Sequence, residues 1–237
     1  MMGKNEFLKL GEKTWVYINV LSLVVIIALM LGGMGTKYWV RQGRDQDIWE
    51  GGILRCSKGK WENQHYGEIA QEICDVEGTY FTGLCNLFED LKAAGVFFLV
   101  FELLSLLVTL VWFVNCIYKS QGKQLLWGWL QYFIPVLGFL LHVLGIVVWA
   151  FIAKSGFGVD CEDIVEDGER GDLCSTDGPI ISVCVAVIYF LVGGVYTYLS
   201  LKVWNFKSEQ ELPNLESVRV PAGGQFGDLE ESGENRA

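Results

Sequence analysis

The chain has 237 residues, 51% of them apolar and 14% aromatic, and it carries 28 acids against 18 bases for a formal net charge of −10. Its apolar residues are gathered into four long blocks, whereas a soluble enzyme spreads them periodically through the fold, so that class is excluded. With the charge acidic and no basic patch in the chain, a nucleic-acid partner is excluded too.

Residues 1–14 are polar, with Lys4, Lys9 and Lys13 set against Glu6 and Glu12. The apolar block that follows is longer than the roughly 7–15 residues of a signal-peptide core, so it is expected to stay as an uncleaved anchor. A bilayer core of about 30 Å takes about 20 apolar residues in a helix, and lipid offers the backbone no other hydrogen-bond partner. Residues 15–35, 93–118, 125–153 and 179–204 reach that length and predict four membrane spans.

The connections set the orientation. Residues 119–124 hold Lys119 and Lys123 with no acid, and Lys202 and Lys207 lie at the end of the fourth block. Cationic short loops face the cytoplasm. Both termini are therefore expected inside, with the longer loops 36–92 and 154–178 outside. Trp15, Trp112, Trp127, Trp129 and Trp204 would mark the inner interface, and Trp39 and Trp149 the outer one. The plasma membrane is the expected location. The tail, 205–237, is acidic, contains Pro213 and Pro221 and lacks periodicity, so it is expected to be disordered.

Of the seven cysteines, Cys56, Cys74, Cys85, Cys161 and Cys174 fall in the two loops assigned to the oxidising side. No Cys-x-x-Cys pair occurs and His65 is the only loop histidine, which favours disulfides over a zinc site. Connectivity is not fixed by the residues. Proximity points to Cys161–Cys174, and Cys85 stays unassigned. Cys116 and Cys184 lie within spans as small apolar fillers. Short antiparallel strands are expected in the first loop at Tyr38-Trp39-Val40, at Ile53-Leu54-Arg55-Cys56-Ser57 and after the Lys58-Gly59-Lys60 turn.

In the first loop, Trp39 follows the first block, Trp49-Glu50-Gly51-Gly52-Ile53-Leu54-Arg55-Cys56 comes next, and Cys74 precedes the second block. Glu50, Gly51 and Cys56 keep the spacing of the Glu-Gly-Leu-Trp-x-x-Cys form, with Gly52 and Ile53 replacing its Leu and Trp. Leu91-Lys92-Ala93-Ala94-Gly95 is similar to the Leu-Gln-Ala-Ala-Arg that opens the second helix of claudins. The chain thus resembles a divergent member of the claudin, peripheral myelin protein and calcium-channel γ-subunit superfamily. The resemblance implies a membrane four-helix bundle, all-α apart from a small disulfide-stabilised extracellular antiparallel β-sheet. It also implies a Cys56–Cys74 pair.

The second loop is strongly acidic. Asp163, Asp167 and Gly168 fall at EF-hand positions one, five and six, but Val165 and Cys174 occupy positions three and twelve, so no calcium motif is completed. A solvated acidic face is the simpler reading, and no metal is expected. Within the spans, a charge is costly and marks function or a buried partner. At about 1.5 Å per residue, Glu102 and His142 lie roughly 13–17 Å below the outer surface, with Tyr189 near the same level. They are expected to form a polar layer that sets helix register, with an ion or proton pathway as the competing reading.

No Ser-His-Asp set, phosphate-cradling loop or His-x-x-x-His motif is present, and neither catalysis nor a cofactor is expected. The resemblance implies a non-enzymatic protein acting by lateral or intercellular association through its outer domain, in adhesion, barrier formation or membrane organisation. The alternatives are an auxiliary, γ-like subunit of an ion channel and a small channel or transporter using Glu102. Expected partners are membrane lipids and either a second copy of the chain or another membrane protein. The terminal Glu234-Asn235-Arg236-Ala237 does not match the ending that junctional scaffolds capture from many claudins.

Overall fold

The computed structural model describes residues 4–43, 48–76, 79–121, 123, 125–126, 128–156 and 173–216. In chain order these form α1 (Lys4–Gly35), β1 (Val40–Gln42), β2 (Trp49–Gly51), β3 (Cys56–Lys58), α2 (Tyr66–Cys74), α3 (Thr79–Ser120), α4 (Leu130–Ala153), β4 (Ser155–Gly156), β5 (Leu173–Ser175) and α5 (Asp177–Glu216). Stretches Thr14–Gly35, Phe81–Ser120, Leu130–Ala153 and Asp177–Leu199 are long and apolar enough to cross a bilayer. Four such helices make the chain an integral membrane protein.

Three boundaries differ from expectation, each for a local reason. α4 starts at Leu130, not at 125, because Gly128 has a positive φ of 36° that no continuous helix accommodates. α3 starts at Thr79, not at 93, because Leu84, Leu87, Phe88 and Leu91 form a helical apolar stripe that is buried against the loop. α5 runs on to Glu216 through Lys207-Ser208-Glu209-Gln210-Glu211-Leu212, mostly good helix formers, so that part of the tail is helical. Residues 1–197 form one compact unit, and the chain from Tyr198 onward belongs to a second.

The sheet has the order β3-β2-β1-β5-β4. The pairs β3–β2, β2–β1 and β1–β5 are antiparallel, and β4–β5 is parallel. It therefore joins strands from both loops, with Val40 opposite Gly51 on one side and Ser175 on the other. The strand expected after the Lys58-Gly59-Lys60 turn does not form. The chain turns through Asn63, leaves a single bridge between Arg55 and His65, and enters α2. Tyr66, Ile69, Ala70 and Ile73 are buried on one face of α2, an i, i+3, i+4, i+7 pattern that only a helix can bury together. The Glu68 carboxylate accepts the His65 N–H at 3.0 Å and caps its first turn.

Trp39 fastens the sheet to the bundle. It is fully buried, with its ring edge-on to Phe98 at 4.5 Å and to Trp149 at 5.0 Å, and its indole N–H donates to the Gly33 carbonyl at 2.9 Å. The backbone of Gly178 lies against the same ring where no Cβ would fit. One side chain thus touches α1, α3, α4 and the start of α5.

Candidate functional site

The buried polar layer is assembled from three helices. Glu102 on α3 is 1% exposed, His142 on α4 is fully buried, and Nδ1 of the imidazole lies 2.6 Å from Oε2 of the carboxyl group. On the other side of the ring, Nε2 is 2.9 Å from the backbone carbonyl of Ser182 on α5. A carbonyl only accepts, so Nε2 must carry the hydrogen. A single further proton then lies between Nδ1 and Oε2. It makes either a carboxylic acid facing a neutral imidazole or a carboxylate facing an imidazolium, and the pair is neutral in both forms. An isolated ion at this depth would cost several kcal/mol, and a shared proton removes that cost.

Below this pair the layer continues down α3. Ser105 Oγ donates to the Gly138 carbonyl at 2.8 Å, and Thr109 Oγ1 donates to the Ser105 carbonyl at 2.7 Å. Thr109 has only one hydroxyl hydrogen, so the Tyr189 hydroxyl must be the donor in their 2.9 Å contact. Gly138 admits this arrangement, because a Cβ there would collide with the Tyr189 hydroxyl. Gly145 performs the same service one heptad on, where a Cβ would meet Phe101 at 3.1 Å. Small residues permit close approach of helices that lipid itself does not drive together.

The sequence singled out Glu102, His142 and Tyr189, and the structure brings the first two into direct contact. Tyr189 is bonded to Thr109 instead. Ser105, Thr109 and the Ser182 carbonyl were missed. The hydroxyls share a helix face with Glu102 at i+3 and i+7, a signal present in the sequence, whereas a backbone acceptor leaves none.

The first-loop cysteines need a correction. Cys74 is bonded to Cys85, not to Cys56, and the Cα atoms are 5.0 Å apart. Cys74 ends α2 and Cys85 lies in the second turn of α3, so the short connection between these helices presents the two sulfurs to each other. Cys56 is held in β3 opposite Gly51, fully buried and free. Burial pushes its thiol up to about 12, which leaves it protonated and unreactive. Cys174 is disulfide-bonded. Cys161 and the acidic residues from 157 to 172 lie outside the described residues.

The other motif residues have packing roles. Glu50 faces Arg41 across the sheet, and its carbonyl accepts Ser57 Oγ at 3.1 Å. Gly51 has no room for a Cβ because the Tyr66 phenol lies on it, donating to the Gly52 carbonyl at 2.8 Å. Burial, then the neighbouring Cys56, pushes that phenol well above its usual pKa and keeps it a donor. Trp49, Trp61 and Tyr66 surround Phe88, with ring centroids 5.1–5.9 Å away.

No protein-family model matches this chain, and no curated protein matches it in sequence. Four apolar helices topped by a small, largely antiparallel sheet fit a claudin-like layout.

Proposed function

We propose that this is a claudin-like, non-enzymatic membrane protein that acts through association of its sheet-bearing head, laterally or between cells, in adhesion, barrier formation or membrane organisation. The observation that supports it most is the joining of both loops into one sheet fastened to the bundle by Trp39, which pre-forms a recognition surface on a membrane anchor. In this reading the head and the Cys74–Cys85 bond are extracellular, both termini are cytoplasmic and the protein resides in the plasma membrane. Lys119 and Lys123, at the opposite end of α3 from the head, support that orientation. Membrane-impermeant thiol labelling tests it: a cysteine placed at Ser175 should label on intact cells and one placed at Lys123 should not.

Association is tested by expressing the protein in non-adherent cells and isolating it in mild detergent. Enrichment at cell contacts with recovery of crosslinked copies is the expected result. Recovery with a channel subunit and no enrichment at contacts would support the auxiliary-subunit alternative instead. The channel alternative is disfavoured by the enclosure of Glu102, whose proton-sharing partner and surrounding helices leave it 1% exposed.

A further inference from the structure

A cleft of about 350 Å³ opens where the end of α1 meets the β2–β3 turn and α3. That volume falls within the roughly 300–1,000 Å³ of small-molecule sites. Its apolar side is made by Met34, Leu99, Ile53 and Leu54, and its polar side by Lys37 and Arg55. Among the described residues no carboxylate lines it, although acids outnumber bases 28 to 18 in the chain. Among the described residues no acid pairs with either cation. Arg55 is braced instead by His65, with Nη2 donating to Nε2 at 3.0 Å, which leaves the rest of its guanidinium fork available.

The walls are fixed by backbone contacts. A Cβ at Gly95 would collide with the Ile53 carbonyl, and one at Gly52 would lie 3.3 Å from the Thr36 carbonyl. The β2–β3 turn is thus pressed onto α3 on one side and onto the end of α1 on the other, so close backbone contacts flank the cleft. The cleft also lies at the level where the apolar stretch of α1 ends at Gly35. Lipid headgroups occupy that level in a bilayer.

We propose that this cleft binds a membrane phospholipid, with its phosphate held by Lys37 and Arg55 and the start of an acyl chain lying over Met34 and Leu99. A phosphate takes a guanidinium through two parallel hydrogen bonds and an ammonium as a point charge. An apolar wall beside two cations that no carboxylate of the described residues neutralises matches the amphiphile in both halves. The assignment rests on the helices being membrane spans and does not depend on which side of the membrane the head faces.

The test is native mass spectrometry of the full chain released from mixed-lipid nanodiscs. Dioleoylphosphatidylglycerol and dioleoylglycerol serve as probes that share their acyl chains and differ in the phosphate. The wild type should retain one phosphatidylglycerol in preference to the diacylglycerol, and Lys37→Gln with Arg55→Gln should lower that retention about tenfold, since hydrogen bonds to charged groups carry this much. Leu99→Trp, which fills the apolar side and leaves both cations in place, should lower it as well. Both cations are exposed, and thermal unfolding monitored alongside shows whether each variant is folded; Lys37→Gln alone, at an exposed side chain, serves if the double variant is not. Unchanged retention in the folded variants would overturn the proposal by reducing the lipid to non-specific solvation. Equal retention of both probes, or equal protection of the protein by inorganic phosphate alone, would overturn it too.

Discussion

The sheet-bearing head and the membrane interior are held together by different forces. In the head, Trp39, Trp49, Phe88, Tyr66, Ile69 and Leu87 are buried as in a small soluble domain, closed by a disulfide. Water drives that burial. Inside the bundle, many leucines and valines face outward, and the interior sets Glu102, His142, Ser105, Thr109 and Tyr189 beside a buried apolar cluster that includes Leu23, Ile26, Trp112 and Val185. Lipid tails are as apolar as leucine, so nothing is gained there by burying leucine. Small residues and hydrogen bonds specify the packing instead. The head and the membrane interior of one molecule are therefore specified by different means.

Perturbing the head should cost most. Trp39→Ala removes the ring contacts with Phe98 and Trp149 and the bond to Gly33, and large-to-small aromatic changes in a core cost about 3–5 kcal/mol. Thermal unfolding should show a large decrease in midpoint, with less folded protein recovered from membranes. Next comes Cys85→Ser. Closing a loop with a sequence separation of 11 is worth about 3 kcal/mol in the chain-entropy account. Cys56→Ala should cost much less, and alkylation at pH 8 should leave Cys56 unmodified until the protein unfolds, because its thiol is raised to about 12. Non-reducing peptide mapping that joined Cys56 to Cys74 would break this part of the comparison.

In the interior, Gly138→Ala places a methyl group on the Tyr189 hydroxyl and should cost about 1–3 kcal/mol as overpacking, read as weaker resistance to detergent unfolding. Smallest of all is Glu102→Gln. The amide can still donate to Nδ1, so the loss should be near the ~0.6 kcal/mol average for interhelical hydrogen bonds in membranes. Glu102→Leu combined with His142→Leu should cost less than the two separate losses added together. A proton or cation conductance in reconstituted protein that vanished in Glu102→Gln would show that the layer has a task other than register.

Much of the interior was legible because lipid constrains it tightly. A span needs a length of apolar chain, and a fixed rise per residue turns the position of Glu102 on one helix and His142 on the next into matching depths. The head was read less well. Tyr66–Ile73 and Leu84–Leu91 carry clear helical periodicity, but both lie inside a segment expected to hold strands. Without α2 and the start of α3 the cysteine pairing could only be borrowed from resemblance, and it was wrong. The pairing of β1 with β5 spans more than 130 residues of sequence and left no local sign.

That same pairing sets an order of events during synthesis. β1 emerges directly after α1, yet one of its two neighbours, β5, is made only just before α5. The backbone groups of Tyr38 and Trp39 wait for Thr176 and Gly178, whose N–H groups they accept at 3.1 Å or less. Until β5 and the start of α5 are made, one edge of β1 stays bare and Trp39 lacks part of its cover. An exposed strand edge beside an exposed indole is the kind of surface that chaperones hold and proteases find. Completion of the head thus reports that synthesis has passed the second loop and reached the start of α5, and a chain stalled before residue 173 carries its own mark of incompleteness.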